Sequence, residues 1–263
     1  MKEEIDYIKV NKEMWEHTAT IYETDGLEQN IERVTAKEFN TFDKVEQEIF
    51  SSKLDITGKN IIQIGCNDGT ELINLKKKGA HYCLGVDISE NFIKHAKTLS
   101  KVSRYKVDFI CTSIYDIDKN HFGKFDLIYI TVGVLGWMPN LLHLFNVASK
   151  LLVREGQVFI YEQHPILGMF NPEPPHIIDS SYFKEKPFKD EKLPEYIDKS
   201  GLGKATSYWF PYKTADILMA CVNNGIQITH FDEHEHEISD TYKILENRES
   251  SFPLSFTLIG RKT

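Results

Sequence analysis

Between residues 60 and 165 short apolar runs alternate with segments of helical period. That alternation restricts the chain to a parallel sheet whose strands are joined by crossover helices. The runs are NIIQIG (60–65), YCLGVD (82–87), VDFICT (107–112), FDLIYIT (125–131) and GQVFIYEQ (156–163). They are apolar almost throughout, as strands covered on both faces must be. Between the first two, Thr70 is placed to cap a helix that Gly79 ends, with Leu72 and Leu75 spaced to face the sheet. After the second, Ser89 caps a helix carrying Phe92, Ile93, Ala96 and Leu99 on one face. Leu141, Leu144, Phe145, Ala148 and Leu151 repeat that pattern before the fifth run.

The alternation stops after His164. Residues 165–207 hold six of the nine prolines and little periodicity, so they read as an irregular insertion of the kind that often serves as a lid or binding loop. A helix capped at Thr214 and stopped at Gly225 then leads into IQITHF and, near the end, LSFTLIG, two runs that suggest an antiparallel pair at one edge. The first 55 residues look mainly helical. The expected organisation is one domain: a helical cover over 1–55, a cofactor-binding core over 56–164, a lid over 165–207 and the rest of the sheet over 208–263.

A chain of 263 residues that is 41% hydrophobic can bury a sizeable core. Its formal charge of -8 argues against nucleic acid or an anionic membrane as partner and favours a small molecule. The N-terminus has neither a basic flank nor an apolar run, and no stretch reaches the roughly 20 apolar residues of a membrane span, so a cytoplasmic protein is expected. Cys66, Cys83, Cys111 and Cys221 stand far apart, which gives neither a zinc knuckle nor a redox dithiol.

In open α/β sheets ligands sit at the carboxyl ends of the strands, so chemistry is sought just after each run. The first run is followed by Gly65, Asn67 and Gly69, where missing Cβ atoms let backbone approach a ligand closely. The second ends in Asp87, some twenty residues on, where an acid can accept both hydroxyls of a ribose. A nicotinamide enzyme would share these features, but the turn G-C-N-D-G is not G-x-G-x-x-G.

On these residues the chain, from about residue 10 onward, resembles the class I S-adenosylmethionine-dependent methyltransferases, in a small-molecule branch. Gln63, Gly65, Asn67 and Gly69 fall where that family has an acid followed by G-x-G-x-G. Asp87 matches its ribose acid and Ile88 its adenine-packing residue. VDFICTSIYDI resembles the third-strand motif, with Thr112 standing where the family commonly has an Asp that reaches the adenine amino group, and Ser113 and Ile114 following. FDLIYITVGVLGWMP is similar to the motif of the fourth strand, which puts Thr131 beside the cofactor. The resemblance implies a Rossmann-like, seven-stranded, mostly parallel sheet with helices on both faces, an antiparallel edge strand, S-adenosyl-L-methionine as cofactor, no metal, and a small metabolite methylated on O or N. A homodimer stays open. Gln63 departs from the family acid but keeps an accepting amide oxygen, and Asn67 tolerates positive φ better than other residues. A cofactor-binding protein without turnover is the main alternative, and an oxidoreductase the other.

Catalysis of methyl transfer needs a base only where the acceptor is protonated or a hydroxyl. His164, ending the fifth run, is the candidate, with Glu162 on the same strand face behind it. Tyr22, on the N-terminal helix with Trp15, either closes over the cofactor or packs on the sheet. Trp137 and Met138 suggest a wall beside the methyl position, and YWFPYK (208–213) a lining of the acceptor pocket. The histidines of HFDEHEHEISD, His230, His234 and His236, are set down to a solvated acidic loop rather than a metal site.

Overall fold

The computed structural model of the chain describes residues 5–193, 203–249 and 251–263. In chain order its main elements are α1 (Tyr7–Thr35), α2 (Lys44–Ser52), β1 (Asn60–Ile64), α3 (Thr70–Lys77), β2 (Tyr82–Asp87), α4 (Glu90–Ser103), β3 (Asp108–Cys111), β4 (Phe125–Ile130), α5 (Val134–Trp137), α6 (Leu141–Leu151), β5 (Leu152–Gln163), β6 (Phe188–Asp190), β7 (Ser207–Trp209), α7 (Thr214–Val222), β8 (Ile226–His234) and β9 (Ser255–Lys262). Seven strands form one sheet in the order β3-β2-β1-β4-β5-β9-β8. The reversal of strand order lies between β1 and β4, and ligand crevices of open sheets form at such a switch. β9 runs antiparallel to both β5 and β8, which gives the antiparallel pair at the edge.

Each crossover follows from its local sequence. Ser89 accepts the Phe92 amide at the start of α4, and Asn140 accepts that of His143 at the start of α6. The expected caps at Thr70 and Thr214 sit one residue too late, since Gly69 and Lys213 hold the cap positions. Thr70 gives both its amide and its hydroxyl to the Asp68 carboxylate. The β8 strand continues through His234, so part of the acidic histidine segment is strand rather than loop.

The sheet is covered on both faces. One layer packs α6 and α7 against Ile62, Leu84, Ile128, Val158 and Leu258, and the other packs α3, α4 and the N-terminal cover against Ile61, Cys83, Leu127, Tyr129 and Phe159. Leu144, Phe145, Leu151 and Phe159 have no exposed surface, each contributing about 1.5–3 kcal/mol of transfer free energy. Cys66, Cys83 and Cys221 are buried free thiols.

Of the 165–207 insertion, residues 194–202 lie outside the described part. Its two ends meet in the β6 and β7 ribbon, where Phe188 pairs with Trp209. That ribbon is tied to the N-terminal helix. The Asn11 side chain donates to the Tyr208 carbonyl (2.9 Å) and accepts from the Tyr208 amide (2.8 Å). The Tyr7 ring meets Tyr208 and Phe210 edge-on. Among the described residues no helix is long and apolar enough to cross a membrane.

Candidate active site

A cleft of about 650 Å³ opens at the carboxyl ends of β1, β2 and β4 and is closed from above by α1 and the β7 segment. Its floor begins with the turn after β1. Gly65 has φ +67° and a Cβ there would stand 2.8 Å from the Val134 side chain, so the turn cannot carry a larger residue without moving α5. Asn67 follows at φ +48°, tolerated because a short amide can bond its own backbone, and its Oδ1 accepts the Asp68 amide. Gly69, at φ +76°, does not border the cleft. A Cβ there would meet the Phe109 ring at 2.6 Å, so this glycine serves packing beneath the turn.

Asp87 ends β2 facing the same cleft. Its Oδ2 accepts the Asn67 amide (2.8 Å) and its Oδ1 that of Ser89 (2.9 Å), which fixes the plane of the carboxylate. Burial pushes its pKa up, and the amides of Ser89, Asn67 and Ile88 oppose that shift. Ile88, Thr112, Ser113 and Ile114 line the cleft on one side of Asp87, and Thr131 lines it beyond Gly65.

Gln63 lies under the floor. Its Nε2 donates to Glu71 Oε2 (2.6 Å), and the Thr131 hydroxyl donates to the same oxygen (2.7 Å). An amide at 63 therefore answers a carboxylate supplied one turn into α3, where a second acid would repel it. Glu71 borders the cleft, and burial raises its pKa against the two donors. The carboxylate absent from position 63 thus enters the site from position 71. Gln63 is 1% exposed, and its Oε1 has no hydrogen-bond partner among the described residues.

Tyr22 also stands back from the cleft wall. Its hydroxyl donates to the Asp68 carboxylate, to which Asn30 donates as well, so α1 holds the turn from behind. The helix reaches the cleft through Asn11, Trp15 and Arg33. Trp15 and Trp137 cross edge-on at 5.3 Å, and Trp137 and Trp209 at 5.0 Å. All three tryptophans of the chain therefore line this cleft. Gly136 permits the contact, because a Cβ there would lie 2.1 Å from the Trp209 ring. Tyr212 donates to the Met138 carbonyl (2.6 Å), joining YWFPYK to the segment after α5.

The two residues expected to act on protons lie off the cleft wall. Glu162 is 3% exposed and receives the amides of Gly133 (2.6 Å), Gln163 (2.9 Å) and Leu135 (3.1 Å). Burial pushes its pKa up to about 7 although these amides favour the carboxylate. His164 Nδ1 accepts the Ile166 amide (3.2 Å), which leaves the proton on Nε2, 2.9 Å from Glu233 Oε1. Burial lowers its pKa and Glu233 opposes that. The neighbouring Tyr161 turns to the opposite face and donates to Asp43 (2.7 Å). The histidines of the acidic segment disperse: His234 bonds Thr257, and His236 lies between Asp43 and Glu246. Among the described residues no three metal-ligating side chains gather.

The sequence does not single out Asn11, Arg33, Thr41 or Glu71, and it suggests a solvated loop for 238–240, the end of HFDEHEHEISD, which the structure instead places on the border of the cleft. Only Glu71 had a sequence signal, an acid in the first turn of the helix that follows the glycine turn.

Residues 62–158 match the family model described as a methyltransferase domain. Over 124 residues the chain is 23% identical to the ubiquinone biosynthesis O-methyltransferase of Xanthomonas oryzae pv. oryzae, covering 47% of this chain and 51% of that one. The chain thus spans about half the length of the curated relatives it matches. Among solved structures, the S-adenosylmethionine dependent methyltransferase of Mesorhizobium loti superposes with a TM-score of 0.61 at 18% identity, over 82% of this chain and 96% of that one. Geranyl diphosphate C-methyltransferase of Streptomyces coelicolor A3(2), solved with Mg2+, geranyl diphosphate and S-adenosyl-L-homocysteine, superposes with a TM-score of 0.63 at 11% identity, over 98% of each chain. At these identities the likeness is one of fold.

Proposed function

We propose that this chain, whose central part is a methyltransferase domain of the class I S-adenosylmethionine-dependent fold, transfers a methyl group from S-adenosylmethionine to an oxygen or nitrogen of a small metabolite. The observation that carries the reading is Asp87. A carboxylate fixed by two backbone amides faces a cleft whose floor is a turn in which Gly65 packs too closely on Val134 to carry a side chain.

The residues present fit the cofactor. Asp87 would accept the two ribose hydroxyls, with Ile88, Thr112, Ser113 and Ile114 around the adenine. Gly65 and Asn67 would expose backbone to the amino-acid half, and Glu71 with Thr131 would face its ammonium. When bound, S-adenosylmethionine supplies a methyl on a sulfonium, a leaving group that needs no acid. The protein's share is then orientation in a site that excludes water. Trp15, Trp137 and Trp209 provide the apolar wall, and Met138 extends it.

Glu162 has a positioning part. By gathering the amides of Gly133 and Leu135 it sets the segment that carries Thr131 and Trp137. For His164 to act as base, Nδ1 would have to give up the Ile166 amide, so the proposed reaction proceeds without it. The fold of the relatives leaves the acceptor atom open, since those named methylate oxygen in one case and carbon in another.

Calorimetric titration with S-adenosylhomocysteine and with NAD, followed by incubation of a metabolite extract with methyl-labelled S-adenosylmethionine, tests the proposal. Binding of the homocysteine product together with a labelled small molecule is expected. Binding of NAD alone would overturn the reading, and cofactor binding with no labelled product from any extract would make this a binding protein.

A further inference from the structure

Beside the main cleft lies a second chamber of about 250 Å³, and Thr41, Glu71, Thr131, Val132, Ile238 and Asp240 border both. The chamber is therefore a side arm opening past Glu71. Its remaining walls are strongly acidic, with Asp43 and Glu46 from the start of α2, Glu237 from the loop after β8, and Tyr161 of β5. Two basic residues also face it: Lys243 is held by the Glu246 carboxylate, and His236 lies between Glu246 and the chamber's own Asp43.

Glu237 distinguishes this arm from a solvated acidic surface. The residue is 1% exposed. Its Oε1 accepts the Ser239 amide (2.8 Å) and the Gln163 side chain (3.3 Å), whereas Oε2 has no hydrogen-bond partner among the described residues. A buried carboxylate oxygen left without a donor is costly, and a donor entering the chamber would remove that cost. Thr41 Oγ1, on the border of the two cavities, is likewise buried and unpartnered among the described residues. Burial also raises the pKa of Glu46 to about 8, with the neighbouring Glu71 adding to the shift.

We infer that this chamber is a cation subsite that anchors a protonated amine of the methyl acceptor, so that the substrate is a small metabolite bearing an ammonium group at one end and the methylated atom at the other. The inference rests on the methyltransferase reading. The anchored nitrogen is not the one methylated, because its lone pair is occupied by a proton. The nucleophilic atom instead lies in the main cleft, among Trp137, Met138 and Tyr115. The chamber fits a primary alkylammonium, whose N–H groups can meet Glu237 Oε2 and the neighbouring carboxylates while its stem passes Val132 and Ile238.

The test is calorimetric titration of the full chain, saturated with S-adenosylhomocysteine, with butylammonium and with 1-butanol, repeated without the homocysteine product. Wild-type protein should bind butylammonium at least about tenfold more tightly than the alcohol, the factor that 1.4 kcal/mol of charge-assisted bonding gives. E237Q keeps the acceptor used by Ser239 and removes the charge, and should reduce that preference to about threefold or less. D240N, on the exposed rim, should reduce it by a smaller factor and serves if E237Q does not fold. Equal binding of amine and alcohol, or an unchanged preference in both variants, would overturn the subsite. Loss of butylammonium binding on saturation with S-adenosylhomocysteine would also overturn it, by assigning the chamber to the cofactor's own ammonium. If the homocysteine product does not bind at all while the amine preference persists, the methyltransferase reading fails, and with it the assignment of the amine to a methyl acceptor.

Discussion

The two halves of the carboxyl edge of the sheet are built differently. Around β1 and β2 the ligand-facing groups come from consecutive residues of one turn and one strand end, and the bonds that fix them are local: Asp87 to Ser89, Asn67 to Asp68. Around β4 and β5 the walls are assembled from remote parts of the chain. Trp15, Trp137 and Trp209 meet there, and the Asn11 to Tyr208 bonds span 197 residues. A turn that builds its own site can be read from sequence. A site assembled by packing shows only its pieces: Trp137, Met138 and the 208–213 segment can be picked out, but not the Trp15 and Asn11 contacts that join them.

Breaking the first half should have the largest effect. Asp87→Ala removes a charged acceptor of hydrogen bonds, each about 1.5–3 kcal/mol, and is expected to weaken S-adenosylhomocysteine binding about a hundredfold by calorimetry. It also orphans the Asn67 and Ser89 amides, so a fall in melting temperature should accompany the loss.

Stability against pH probes the other half. Glu46 and Glu162 have folded-state pKa values of about 8 and about 7, both above the ordinary value near 4.5. At these two groups the folded chain therefore holds more protons than the unfolded one between pH 4.5 and 8, so the stability they contribute is full at the acid end and is lost as pH rises through 7 and 8. His164, His230 and His234, lowered by burial, oppose this below about pH 6.5. The linkage is about 1.4 kcal/mol per pKa unit, so the two groups together set an upper bound of about 8 kcal/mol on the loss. Denaturant unfolding from pH 5 to 8.5 should show this decline. Glu46→Gln should flatten it most above pH 7, and an unchanged slope in that variant would contradict a neutral buried Glu46.

Gly136→Ala sharpens the comparison by disturbing one half alone. The new methyl would overlap the Trp209 ring and must displace it. Tryptophan fluorescence should change, the rate with acceptor should drop about tenfold or more through lost positioning, and S-adenosylhomocysteine affinity should stay within about twofold. Equal losses of both would mean that the halves are not separable.

The smallest effect is expected at Gln63. Replacing it with Glu sets a carboxylate against Glu71, but two acids in contact can share one proton, so cofactor affinity should change only a fewfold at pH 6. The loss should grow toward pH 8, where the shared proton leaves. A gain in affinity would indicate that Gln63 is a defect rather than a partner of Glu71.

The five central strands, the helices between them and the edge pair follow from alternating burial, which one-dimensional patterns record well. Asp87, Gly65 and Asn67 were visible because strand end and turn geometry fix where they face. Glu162 and His164 show what such reasoning lacks: one lies at the end of β5 and the other just past it, yet their partners, the 133–135 amides and Glu233, lie elsewhere in the chain. Tyr22 was seen as a cover or as packing, and the structure gives it a third part, holding Asp68. Glu71 escaped notice because its meaning depends on Gln63 and Thr131 lying beneath and beside it.

The long first helix touches both halves. Tyr22 and Asn30 grip the glycine turn through Asp68, and Asn11 grips the β7 segment. A lever fastened at two points cannot lift from one alone. Any outward swing of α1 would therefore disturb the glycine turn and the aromatic wall together, and neither could loosen while the other stayed fixed to the helix.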